Sequence, residues 1–189
     1  MTIITAESVI ADSLEKAGLI PDVIPRAVSW STLLRVSYQD STKDVELGLD
    51  MSPQEASEMP NVFFVPPDQS AFYTLVMVHD ITDPDAPSVQ NKEFGPWRHW
   101  VVTNISGSDV SDSVKEVENQ HTPYIGPGPG KNSGSHRYTF LLYKQLRGKQ
   151  EFRAMEHQQR EQRRKFDIRL FESQNELELI SINFFHCPT

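Results

Sequence analysis

The chain alternates between short apolar runs and polar stretches broken by proline. Across residues 5–18, Val9, Ile10, Leu14 and Ala17 fall near one helical face. Thr5 is placed to cap that helix, and Glu7 sits where the helix dipole favours an acid. Gly18, with Pro21 just beyond, marks its end. Strand-like runs follow at 33–38, 45–49 and 61–65, set off by Pro53, Pro60, Pro66 and Pro67. Three longer runs, 72–78, 97–105 and 138–145, are nearly continuous in β-branched, aliphatic and aromatic residues, which predicts buried strands. From about 151 to 175 the sequence turns polar, with Phe152, Met155, Phe166, Ile168 and Leu170 spaced through it. That pattern predicts one or two surface helices, with Arg160, Arg163, Arg164 and Lys165 as their solvated face. A final strand is expected at 177–185. Strands dominate, helices gather toward the chain ends, and the two do not alternate, so a β-rich, single-domain fold is expected and a doubly wound sheet is disfavoured.

Composition adds limits. Thirteen prolines in 189 residues fit many loops between short strands. The net charge of −8 disfavours nonspecific nucleic-acid binding and an anionic membrane surface. The single cysteine, Cys187, leaves no partner for an intrachain disulfide, which fits a reducing compartment. The N-terminal sequence lacks a basic leader, and no stretch approaches a membrane span, so cytoplasmic residence with at most peripheral membrane contact is the expectation.

Three segments carry candidate chemistry. In 82-TDPDAPS-88, Pro84 and Pro87 stiffen the backbone around Asp85, so Asp83 and Asp85 are candidates to accept hydrogen bonds from histidines or to attract a ligand ammonium. In 97-WRHWVV-102, strand alternation puts Trp97 and His99 on one face and Arg98 and Trp100 on the other. The glycine-rich 124-YIGPGPGKNSGSH-136 lets the backbone approach a ligand closely, with amides of Gly126, Gly128 or Gly130 as a candidate anion nest. It is not a P-loop: that motif needs glycine at Ile125 and serine or threonine at Asn132. His136 and Tyr138 share a face where the next strand begins. Each segment alone also reads as an ordinary turn, a core histidine or a flexible loop. Together they make an anion pocket at strand ends.

The order DPDAPS, then Trp-x-His, then YIGPGPGKNSGSHRYTFLLY closely resembles the phosphatidylethanolamine-binding protein family, over roughly residues 5–186. GLIPDVIP and LELISINFF look most like the fungal branch that includes carboxypeptidase Y inhibitor. The resemblance implies a large central antiparallel sheet packed on a smaller sheet, with helices at the chain ends. It implies a pocket for phosphate or phosphatidylethanolamine-type head groups, formed by Asp83, Asp85, Trp97, His99, Gly126, Gly128, His136 and Tyr138. It also implies a regulatory role toward a protein partner, either a serine carboxypeptidase or a Ras/kinase-pathway protein, with no cofactor. His79, Asp80 and Ile81 read as an insertion or bulge that displaces Asp83 from His99. The competing reading is a metal-dependent hydrolase, since two His and two Asp suit Zn²⁺. It ranks lower because no HExxH spacing is present and Ser133 and Ser135 do not lie in a GxSxG turn.

Overall fold

The structure is a computed structural model that describes residues 3–24, 28–39, 43–81, 96–108, 114–131 and 133–188. Helix α1 (Ile3–Lys16) begins just ahead of Thr5, within the usual uncertainty of a fraying end. Gly18 ends it with φ 66°, a conformation that favours glycine, and the short α2 (Leu19–Asp22) follows. Strands β1 (Arg35–Ser37) and β3 (Asn61–Phe63) pair as a small antiparallel sheet. The large sheet contains β2 (Leu49–Asp50), β4 (Phe72–Ile81), β5 (Trp97–Ser106), β6 (His136–Gln145) and β7 (Leu177–Cys187). Its order is β2-β7-β6-β4-β5, antiparallel except where β2 runs parallel to β7.

The three long apolar runs are the middle of this sheet, and both of its faces are covered. One face carries Tyr73, Leu75, Met77, Phe140 and Leu142 against Val36, Tyr38, Val62 and Phe64 of the small sheet and its flanks. The other carries Val76, Val78, Val101, Leu141 and Tyr143 against Ile10 and Leu14 of α1, Leu19, and Phe171 of α3 (Ile168–Gln174). Alternation along β4 therefore buries every side chain from Tyr73 to Val78.

Two expectations need correction. His79, Asp80 and Ile81 are not an insertion that breaks the strand. They pair residue for residue with Tyr138, Arg137 and His136, so β4 runs on through them. The segment 151–175 is also mostly not helical. Residues 151–159 have no regular structure, Arg160–Arg163 is one 3₁₀ turn, and α3 is seven residues long. Side chains from elsewhere capture the backbone carbonyls of this segment: Arg98 donates to Glu156 O at 2.7 Å, and His121 bonds Arg153 O at 3.2 Å. No helix among the described residues is long and apolar enough to cross a membrane.

Candidate functional site

The ends of β4, β5 and β6 meet around His79. In register it faces Trp97 on one side and Tyr138 on the other, and its ring stacks on Tyr138 at 5.1 Å. On β5 a register shift sets Val78 opposite Arg98 and Met77 opposite Trp100, leaving His99 as the extra residue. This bulge corrects the simple alternation. Arg98 does point away, over the Phe166 ring at 5.4 Å, but Trp100 lies on the same face as Trp97 and His99, packed against Tyr124. The bulge turns His99 toward His79, with ring centroids 5.2 Å apart, and His136 lies 5.3 Å from His79 on the β6 side.

These rings line a cavity of about 490 Å³. Of the residues singled out from the sequence, Trp97, His99, Gly126, Gly128, His136 and Tyr138 border it. Asp83 and Asp85 lie outside the described residues. The cavity also takes in His79, Ser133, Arg160, Glu161 and Arg164, which sequence reasoning did not place there. A signal for His79 was present: it continues the Tyr73, Leu75, Met77 face of β4 by one more step of two. None was present for the arginines, because their position depends on how an irregular segment crosses the sheet.

The glycine-rich loop acts as a wall. A Cβ on Gly126 would stand 2.8 Å from the carbonyl oxygens of both Ala56 and Ser57, so close packing against that turn requires glycine there. At Gly128 the nearest atom would be an Arg160 nitrogen at 3.5 Å, which is ordinary contact. Among the glycines of the loop only Gly134, with φ 85°, is left-handed, so Gly126, Gly128 and Gly130 do not form an alternating nest of amides.

The electrostatics favour an anion. Burial holds His99 down from 6.5 to about 3, opposed by its hydrogen bond to Ile125 O and aided by Arg163 and Arg160. Burial also lowers His79, well below its ordinary value, and His136. All three imidazoles are therefore neutral near pH 7. Positive charge comes from the guanidinium groups around them. Arg163 is not part of a solvated face: it is 3% exposed and donates to Pro123 O at 2.9 Å and His99 O at 3.1 Å. Arg160 and Arg163 both lie 6.0 Å from the Trp97 ring. Arg98, 4% exposed, is lowered to about 10 by burial and then by Arg163. Among the described residues, Arg98 and Arg163 have no carboxylate partner, while Glu161 pairs with Arg164 at 3.5 Å. Among the described residues these two buried cations are held by neutral acceptors, so the described part of the wall carries positive potential.

His79 Nδ1 and His99 Nε2 face each other at 3.1 Å, and His99 Nδ1 donates to Ile125 O at 2.6 Å. Among the described residues, no group of three His, Cys, Asp or Glu side chains is arranged to hold a metal ion. Two further cavities, of about 440 Å³ beside α1 and about 510 Å³ beside Asn104, lack this convergence of aromatic rings and cations.

Comparison with known proteins agrees with the architecture. The family model described as phosphatidylethanolamine-binding protein matches residues 37–185. The uncharacterized protein YLR179C of Saccharomyces cerevisiae is 37% identical over 151 residues, covering 75% of this chain and 72% of the yeast protein. A Drosophila melanogaster protein named as a candidate odorant-binding protein, A5, is 34% identical over 135 residues, which span 70% of this chain but only 57% of that relative. Among solved structures, a carboxypeptidase Y inhibitor complexed with its cognate proteinase superposes with a TM-score of 0.77 at 26% identity, covering 96% of both chains. The phosphatidylethanolamine-binding protein of Plasmodium vivax shares the fold, with a TM-score of 0.71 at 22% identity over 94% of this chain and 96% of that one. With its two-sheet core, its histidine-lined cavity and these matches, the chain belongs to the phosphatidylethanolamine-binding protein family.

Proposed function

We propose that this protein is a non-catalytic binding module that holds a phosphate-type anion, free or as part of a lipid head group, in the cavity around His79, His99 and His136. One observation carries this reading. The cavity sits in front of buried guanidinium groups that have no carboxylate partner among the described residues, and its floor is a set of neutral aromatic rings. An entering anion gains the field of those cations in a recess lined by largely buried rings, where charge interactions are stronger than at an open surface. The neutral rings, and the Ser133 hydroxyl that donates to Gly130 O and accepts from His136, favour binding over turnover among the described residues. We further propose that the anion-loaded protein regulates a protein partner, with a serine carboxypeptidase placed first. The structurally similar carboxypeptidase Y inhibitor, 26% identical, supports that choice.

Both parts are testable with the full-length protein. Calorimetric titration with O-phosphorylethanolamine should give saturable binding that weakens at least tenfold in His136→Ala. Inhibition of a fungal serine carboxypeptidase should be saturable and stoichiometric. No heat at millimolar ligand would end the anion reading, and full protease activity at excess protein would end the partner reading.

A further inference from the structure

The hydrogen bonds fix where the protons sit on the three imidazoles. Ile125 O can only accept, so His99 Nδ1 carries a hydrogen and, in the neutral ring, His99 Nε2 carries a lone pair. His79 Nδ1, 3.1 Å away, must then be the donor, which leaves His79 Nε2 as a lone pair with no hydrogen bond among the described residues. The hydroxyl of Ser133 has one hydrogen, and Gly130 O takes it at 2.6 Å. Ser133 Oγ therefore accepts from His136 Nε2 at 2.7 Å, and His136 Nδ1 is a buried lone pair without a partner in a side chain that is 3% exposed. Among the described residues, the resting cavity thus combines cations at its rim and behind its wall with one imidazole acceptor on its lining, His79 Nε2, while the His136 Nδ1 lone pair is sealed from it.

Such a site discriminates among anions. A fully deprotonated oxygen placed against His79 Nε2 meets lone pair with lone pair. An oxygen that still carries a hydrogen donates to it. Phosphate monoesters can carry such a hydrogen at modest cost near neutrality: with a second pKa of about 6, about a tenth of the free molecules hold it at pH 7 and the rest can take it up on binding. Phosphodiesters, including intact phospholipid head groups, have none to give. We propose that the pocket selects phosphate monoesters over diesters, and that His79 is the residue that reads the difference by accepting the ligand's remaining acidic hydrogen at Nε2. Whether that proton rests on the phosphate oxygen or on the imidazole, the complex holds one proton more than the separated dianion and neutral histidine. The other groups around His79 are consistent with this. Among the described residues, His99 and Trp97 on β5 and Tyr138 and His136 on β6 are neutral, Arg160, Glu161 and Arg164 bring charged side chains to the lining, and Arg163 lies behind it against Trp97. Burial keeps both His79 and His136 below their ordinary pKa, so the proton arrives with the ligand or from solvent on binding.

The inference rests on the anion-binding reading and is separable from it. Calorimetry of the full-length protein with O-phosphorylethanolamine, a monoester, and glycerophosphorylethanolamine, a diester with the same ammonium, is run in buffers of different ionisation enthalpy. At pH 8 the monoester should take up about one proton per molecule bound, and its affinity should fall about tenfold per pH unit above the ligand's second pKa of about 6. The diester should bind at least tenfold more weakly at pH 6.5. In His79→Phe, which keeps a ring against Tyr138, proton uptake should vanish and the two affinities should converge. Monoester binding without proton uptake, equal binding of the diester, or uptake that persists in a folded His79→Phe would each overturn this inference and leave the anion site standing. No binding of either ligand would overturn both. The wild-type proton count decides the matter even where the variant does not fold.

Discussion

At the scale of single residues, folding removes the charge from His99. Its pKa falls from 6.5 in an open chain to about 3, chiefly because burial strips the imidazolium of water. Between those two values the unfolded chain binds a proton that the folded chain does not. Stability is therefore at its plateau above pH 6.5 and declines as the pH falls below it, by up to about 1.4 kcal/mol per pH unit for this group. Urea midpoints measured from pH 8 to pH 4.5 should be flat at first and then fall, with a shallower fall in His99→Phe. A midpoint independent of pH down to 4.5 would contradict the burial assigned to this ring. His99 was legible in the sequence as a candidate because it stands two residues from Trp97 at a strand end. The orientation of Trp100 was not, because the bulge at 98–100 depends on the register with β4, which local alternation does not reveal.

Among the elements, the long strands were readable and the segment after β6 was not. β4 and β6 are covered on both faces, so their apolar runs carry little period but have unmistakable composition. The reading of His79 to Ile81 as an insertion failed for a related reason: polar residues at the end of such a run look like a break unless the partner strand is known. Residues 151–165 have a helix-compatible pattern, yet distant groups fix their path. Arg163 is the clearest case, bridging the 3₁₀ turn to the carbonyls of His99 and Pro123. Replacing it leaves those buried acceptors without a charged donor, so Arg163→Met should cost about 1–3 kcal/mol in chemical denaturation. Lys165→Met, at an exposed position of the same basic run, should change stability by less than about 0.5 kcal/mol. Equal effects would mean that Arg163 is solvated in the same way as its neighbour.

For the whole molecule, a chain of net charge −8 places positive charge behind the described part of the cavity by burying two guanidinium groups, Arg98 and Arg163, rather than by spreading lysines over a face. The two-sheet architecture followed from the family resemblance, and so did the choice of Trp97, His99, His136 and Tyr138 as residues of the cavity. Its sign of charge did not, because it is set by how one irregular segment folds back over β5. NMR titration of the full-length protein with inorganic phosphate tests the assembled account most directly, through the imidazole resonances of His79, His99 and His136. We expect saturable, concerted shifts at His79 and His136 that share one binding curve, with His157, outside the cavity lining, unmoved. Resonances that stay still through millimolar phosphate, or that drift together with His157, would contradict an anion site at this place in the fold.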